Sequence, residues 1–171
     1  MSRDDVEEFP NFGLSDDWLI AIGALIVQWS VFDWLLASHV RALLRQPQAE
    51  HYRPDHMQMG AARRLRLYRK LAPIFFAGEA LKSARMAMKI ANATKEDREW
   101  LAHGIGIQVH DGTLEVMRSD EMRTNERQTA HQAFTRDRLI AAASAIEEAR
   151  ICLLRAYASV RETLPPLHGP I

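Results

Sequence analysis

Arg98 and His103 stand five residues apart in the stretch DREWLAHG, residues 97–104. A guanidinium stays charged at physiological pH, and its planar fork matches two phosphate oxygens. An imidazole titrates near neutrality and can give or take a proton. Together they suit chemistry on a phosphodiester, one side chain holding the phosphate and the other moving a proton. The spacing alone is weak, because Arg45/His51 and Arg161/His168 fall in the same window. Position separates the pair: His103 closes a helical stretch and Gly104 follows it directly. Five residues on a regular helix turn through about 140°, so mid-helix the two side chains diverge, while an unwinding terminus lets them converge. Glu99, four residues before His103, could orient the ring and favour its protonated form. The plain alternatives are a histidine on a helix dipole and an arginine salt-bridged to Asp33 or Glu99.

Other residues offer less. Lysine plus arginine balances aspartate plus glutamate at 22 each, so bulk charge names no partner. The distribution is uneven, with six acids in the first seventeen residues and five cations in RRLRLYRK, residues 63–70. Arg63, Arg66 and Lys70 share one helical stripe. They read either as a solvated face or as a track for a nucleic-acid backbone. Trp100 is the best candidate for stacking on a base, whereas Trp18, Trp29 and Trp34 suit a core or a dimer interface. His51, Asp55 and His56 form no recognised metal-ligand pattern, so no metal or cofactor is expected. The single cysteine, Cys152, cannot form an internal disulfide, fits a reducing cytoplasm and reads as a small core residue.

The elements that must position these residues are helical. A chain of 171 residues is long enough for one domain with a real core. The expected layout is an acidic segment over 1–14, a helical domain over 15–163 and a tail over 164–171. Ser15, Asp16 and Asp17 mark the start of a first helix running to about 45. Residues 18–36 are apolar enough to span a bilayer. Asp33 and the amphipathic helices that follow favour a water-soluble bundle instead, in which this helix faces the core on one side and a second subunit on the other. Residues 46–55 read as a loop, 56–72 as a second helix ended or kinked by Pro73, and 79–103 as one helix or two. A capping box at Thr94–Asp97 raises the second possibility. Alternation at Ile107 and Val109, an Asp111-Gly112 turn and Thr113–Met117 predict one short β-hairpin over about 105–117. A last helix is expected over 128–163, with Leu139, Ile146, Leu153 and Val160 on its core face. The fold class is all-α, four to five helices and one hairpin.

The text REWLAHGIGIQVHDGTLEV, on the end of an interior helix and running into a hairpin, resembles the HEPN domains. These are all-helical dimeric proteins found in toxin–antitoxin pairs, phage-defence systems and RNA-processing enzymes. Glu99 departs from the asparagine more usual at that place. The likeness covers the layout of 15–163, and residues 98–112 carry it at residue level. It implies a metal-independent endoribonuclease in which two protomers bring two Arg/His pairs to one cleft. His103 would act as general acid or base on the ribose 2′-hydroxyl or the leaving oxygen, Arg98 would hold the scissile phosphate, and an antitoxin-type protein is an implied partner. The other reading is a dimeric HEPN-like module that binds RNA, a nucleotide or a protein without cutting.

Overall fold

The computed structural model describes residues 13–55, 60–104, 106–119 and 129–161. Four α-helices carry the architecture: α1 (Asp16–Leu44), α2 (Ala61–Phe75), α3 (Gly78–His103) and α4 (Arg136–Ala158). A 3-10 segment, Pro47–Asp55, follows α1 where a loop was expected. A small antiparallel sheet of β1 (Gly106–His110), β2 (Thr113–Ser119) and β3 (Thr129–Phe134) lies between α3 and α4. The chain is thus a helical bundle with a small sheet.

The first helix starts where the sequence places it. Ser15 has extended backbone angles, and its carbonyl accepts from the amides of Trp18 and Leu19 at 3.0 and 3.1 Å; its hydroxyl makes no capping bond. Trp18, Ala21, Leu25, Trp29, Phe32, Leu36, Val40 and Leu43 recur every three or four residues and are buried. Burial at that spacing holds an amphipathic helix against its neighbours, each large side chain contributing about 1.5–3 kcal/mol. The opposite stripe of α1 is also apolar. Ile20, Val27, Val31 and Trp34 stand 67, 59, 37 and 53% exposed. By length and composition α1 could cross a membrane, yet a third of its most apolar segment is buried inside the bundle.

The last helix supplies the facing surface. Leu139, Ile146 and Leu153 are wholly inaccessible, and Ala142, Ala149 and Ala156 between them let α4 lie close to α1 and α3. This helix starts at Arg136 rather than at 128, because Thr129–Phe134 pairs with β2 as a third strand. Thr135 then caps α4, its Oγ accepting from the Arg138 amide at 3.2 Å. The expected hairpin is present, with Ile107 opposite Val116 and Val109 opposite Leu114. Its turn residues Asp111 and Gly112 both have positive φ, 49° and 70°, as a two-residue turn between twisted strands requires. Leu114 lies between Val109 and Phe134 across the sheet, and this row covers the end of the core.

One buried polar group is costly. His39 on α1 has no solvent exposure, stacks on Tyr157 of α4 at 4.7 Å, and neither ring nitrogen has a hydrogen-bond partner among the described residues. Burial lowers its pKa to about 4, so the folded state holds it neutral. The unfolded chain takes up a proton near 6.5 and the folded chain resists until about 4. Stability is therefore full above pH 6.5 and falls as pH drops through that window. Urea unfolding should show a loss of about 2 kcal/mol between pH 7 and pH 5 from this residue, and His39→Phe should flatten that slope.

Candidate functional site

The third helix is one continuous element through His103. Thr94 does not open a new helix; its hydroxyl bonds back to the Ile90 carbonyl at 3.2 Å, inside the same helix. Ala84, Ala87, Ala91 and Thr94 form the buried stripe of α3, and Arg98 is the next residue along it, half-buried where the core ends. No hydrogen bond or ion pair reaches the Arg98 side chain from the described residues. Its sequence neighbour Asp97 is buried but serves another cation. Arg138 of α4 donates to both Asp97 oxygens, at 2.5 and 3.3 Å, and also to the Ala133 carbonyl. The Arg138 guanidinium lies over the Phe134 ring at 4.8 Å. Asp97 thus ties the last turns of α3 to the start of α4 and to β3.

His103 is the last helical residue and is exposed. Because α3 does not unwind before it, His103 and Arg98 keep the helical separation of about 140° and point to different sides of the axis. Glu99 does not hold the imidazole. Its carboxylate pairs with Lys95 one turn back, at 3.1 Å. Trp100 is packed half-buried against the core, with the Arg118 guanidinium of β2 over its ring at 5.1 Å. That face is therefore occupied by a cation–π contact rather than open for a base. Asp33 does not support Arg98; it receives both ends of the Arg64 guanidinium, joining α1 to α2.

Gly104 has no room for a side chain. A Cβ there would overlap Cγ1 of the buried Val116 and press on the Trp100 carbonyl at 3.1 Å. This is a glycine of close approach, since its φ of −63° suits any residue. It lets α3 end directly against β2.

The basic run of α2 divides three ways. Arg64 turns to α1. Arg63, Arg66 and Lys70 are exposed on the outer face of the helix. Arg69 flanks α3, where with Arg85 and Lys89 it rims a groove of about 400 Å³. A second hollow of about 330 Å³ lies where α1 and α4 begin, beside the Asp17–Arg136 ion pair. Neither hollow includes Arg98 or His103. Among the described residues no three His, Cys, Asp or Glu side chains come close enough to share a metal ion. His51 is exposed against Tyr52, while the side chain of Asp55 and all of His56 lie outside the described residues. Cys152 is buried, and burial raises its thiol pKa, as its reading as a core residue anticipates.

The site thus defines a helical bundle with a half-buried arginine near one helix end that no carboxylate among the described residues neutralises. Compared with family models, with curated proteins and with solved structures, the chain matches none.

Sequence reading missed Asp97, Arg118 and Arg138, whose contacts with one another and with Trp100 hold the last turns of α3. Asp97 passed as a member of the capping box, and Arg118 and Arg138 lie outside the motif, on other elements. The Asp97–Arg138 contact generates an asymmetric expectation. Arg138→Leu leaves a buried carboxylate without its partner and should cost about 1–3 kcal/mol, toward the lower end because Arg138 is itself partly solvated. Adding Asp97→Ala should recover part of that loss. Urea unfolding of the two single variants and the double variant measures the coupling.

Proposed function

We propose that this chain is a metal-independent endoribonuclease of HEPN type, working in the cytoplasm as a homodimer. The observation that carries the reading is Arg98: a cation on the core-facing stripe of α3, half-buried, with no carboxylate partner among the described residues. Keeping a charge partly out of water is costly unless an anion completes it. Asp97 stands next to it and is spent on Arg138. An incoming phosphate supplies what Arg98 lacks.

In this reading Arg98 binds the scissile phosphate and steadies the charge that develops on it. His103 acts as general base on the ribose 2′-hydroxyl or as general acid on the leaving 5′-oxygen. Attack of the 2′-oxygen on phosphorus breaks the bond to the 5′-oxygen, which leaves with a proton. The two side chains diverge within one chain, so the cleft draws on two copies, each presenting an arginine and a histidine. The exposed apolar stripe Ile20–Val27–Val31–Trp34 supports a second copy on α1. The role as a toxin or defence effector, with an antitoxin-type partner, rests on the resemblance of residues 98–112 alone.

A second reading is a dimeric module that binds RNA, a nucleotide or a protein without cutting. It is favoured by the Lys95–Glu99 pair, which leaves His103 without the carboxylate that would orient its ring.

Two measurements test these readings. Purified protein in EDTA should cleave RNA, with His103→Ala and Arg98→Ala each lowering the rate by about 10²–10⁴-fold. An inert wild type, or variants that cut equally well, overturns the nuclease. Binding of RNA lost in Arg98→Ala, without any cleavage, supports the second reading. In sedimentation, wild type should be a dimer and Val31→Glu a monomer, with cleavage lost alongside; a monomeric wild type that cuts RNA removes the shared cleft.

A further inference from the structure

The groove between α2 and α3 has a floor of Ala72, Pro73, Ala84 and Met88 and carries Arg69, Arg85 and Lys89 on its rim. Arg85 and Lys89 sit one turn apart on α3, and Arg69 faces them from α2. None of the three has an ion-pair partner among the described residues. Cations at the joins between helices are paired, Arg64 with Asp33, Arg138 with Asp97 and Arg136 with Asp17, whereas these three converge on one hollow without a carboxylate among the described residues. Three cations left unmatched around one apolar hollow point to an anionic occupant.

The lining decides its chemistry. No aromatic ring contributes to the groove, and an aromatic platform is what usually holds an unstacked base. The floor is aliphatic. A small carboxylate would match only one of three separated cations. What fits is a peptide carrying several carboxylates with apolar side chains between them.

The chain contains such a segment. Asp4-Asp5-Val6-Glu7-Glu8-Phe9 has four acids and two apolar residues, and it belongs to residues 1–12, outside the described residues. Residues 4–9 stand four to nine positions before Gly13, so an extended chain carries them up to about 30 Å from it. We propose that residues 4–9 dock in the α2–α3 groove of their own chain or of a second copy. The carboxylates meet Arg69, Arg85 and Lys89, and Val6 and Phe9 cover the aliphatic floor. This inference is independent of Arg98 and His103.

Carbodiimide treatment of the full-length protein tests it, because that reagent joins a carboxylate to an amine only when the two are in contact. Mass spectrometry should find residues 4–9 linked to Lys89 in preference to Lys70 and Lys82. The mass of the linked species, one chain or two, tells which copy supplies the segment; either supports the proposal. Raising salt to about 1 M should reduce the wild-type yield, since exposed ion pairs are screened. Arg69→Glu with Arg85→Glu should lower it about fivefold or more, with thermal unfolding by circular dichroism confirming that the variant folds. Lys89→Glu with Glu7→Lys should restore a link with the amine now on the segment. No link to Lys89, equal linking to all three lysines, or a yield indifferent to salt overturns the proposal.

Discussion

The structure depends on burying the inner stripe of α1. Trp18, Leu25, Trp29, Phe32, Leu36 and Leu43 present large apolar surfaces along one side of a 29-residue helix. The solution is a close approach by α4, whose alanines Ala142, Ala149 and Ala156 leave space for the α1 side chains while Leu139, Ile146 and Leu153 fill the gaps. α3 packs on α4 as well, and its buried stripe is again made of small residues, Ala84, Ala87 and Ala91. Interiors packed at that density have little slack. Small residues on two helices thus serve large residues on the third, and the direction of α3, with everything at its end, follows from that fit.

Bidentate arginine–carboxylate pairs then fix the helices against sliding. Arg64 on Asp33 sets α2 on α1, and Arg138 on Asp97 sets α3 on α4. A guanidinium fork accepts a narrow range of geometries, so such a pair specifies register as well as adding attraction. Arg98 sits one residue beyond Asp97 and inherits that register.

Much of this was legible in the sequence, and the exceptions share a cause. The inner stripe of α1, the heptad-spaced Leu139, Ile146 and Leu153, and the Asp111-Gly112 turn are local signals, each set by side-chain period or backbone sterics within a few residues. All three appear where expected. The third strand was not legible. Thr129–Phe134 contains one large apolar residue, Phe134, and becomes a strand through its ladder to β2, a pairing that a helical reading of the polar residues hides. Thr94 imitated a helix start because a hydroxyl that caps a free amide can equally bond four residues back. The site residues Arg98 and His103 were found by position, yet their surroundings were misassigned. Asp33, Glu99 and Trp100 each had a nearer or better-matched cation in Arg64, Lys95 and Arg118. Which of several cations a carboxylate meets is decided by helix packing, which no linear spacing encodes.

The close approach at Gly104 bears on where this fold can vary. Junctions between helices and strands usually absorb insertions and act as hinges. Here the backbone at Gly104 presses against Val116 of β2 with no space for a methyl group, and β1 begins two residues later. A side chain at Gly104 would push the end of α3 off β2, so this junction accepts glycine alone without a shift of Val116. The Asp111-Gly112 turn at the far end of β1 is exposed, and its left-handed backbone sets a different demand there, for conformational freedom rather than for space.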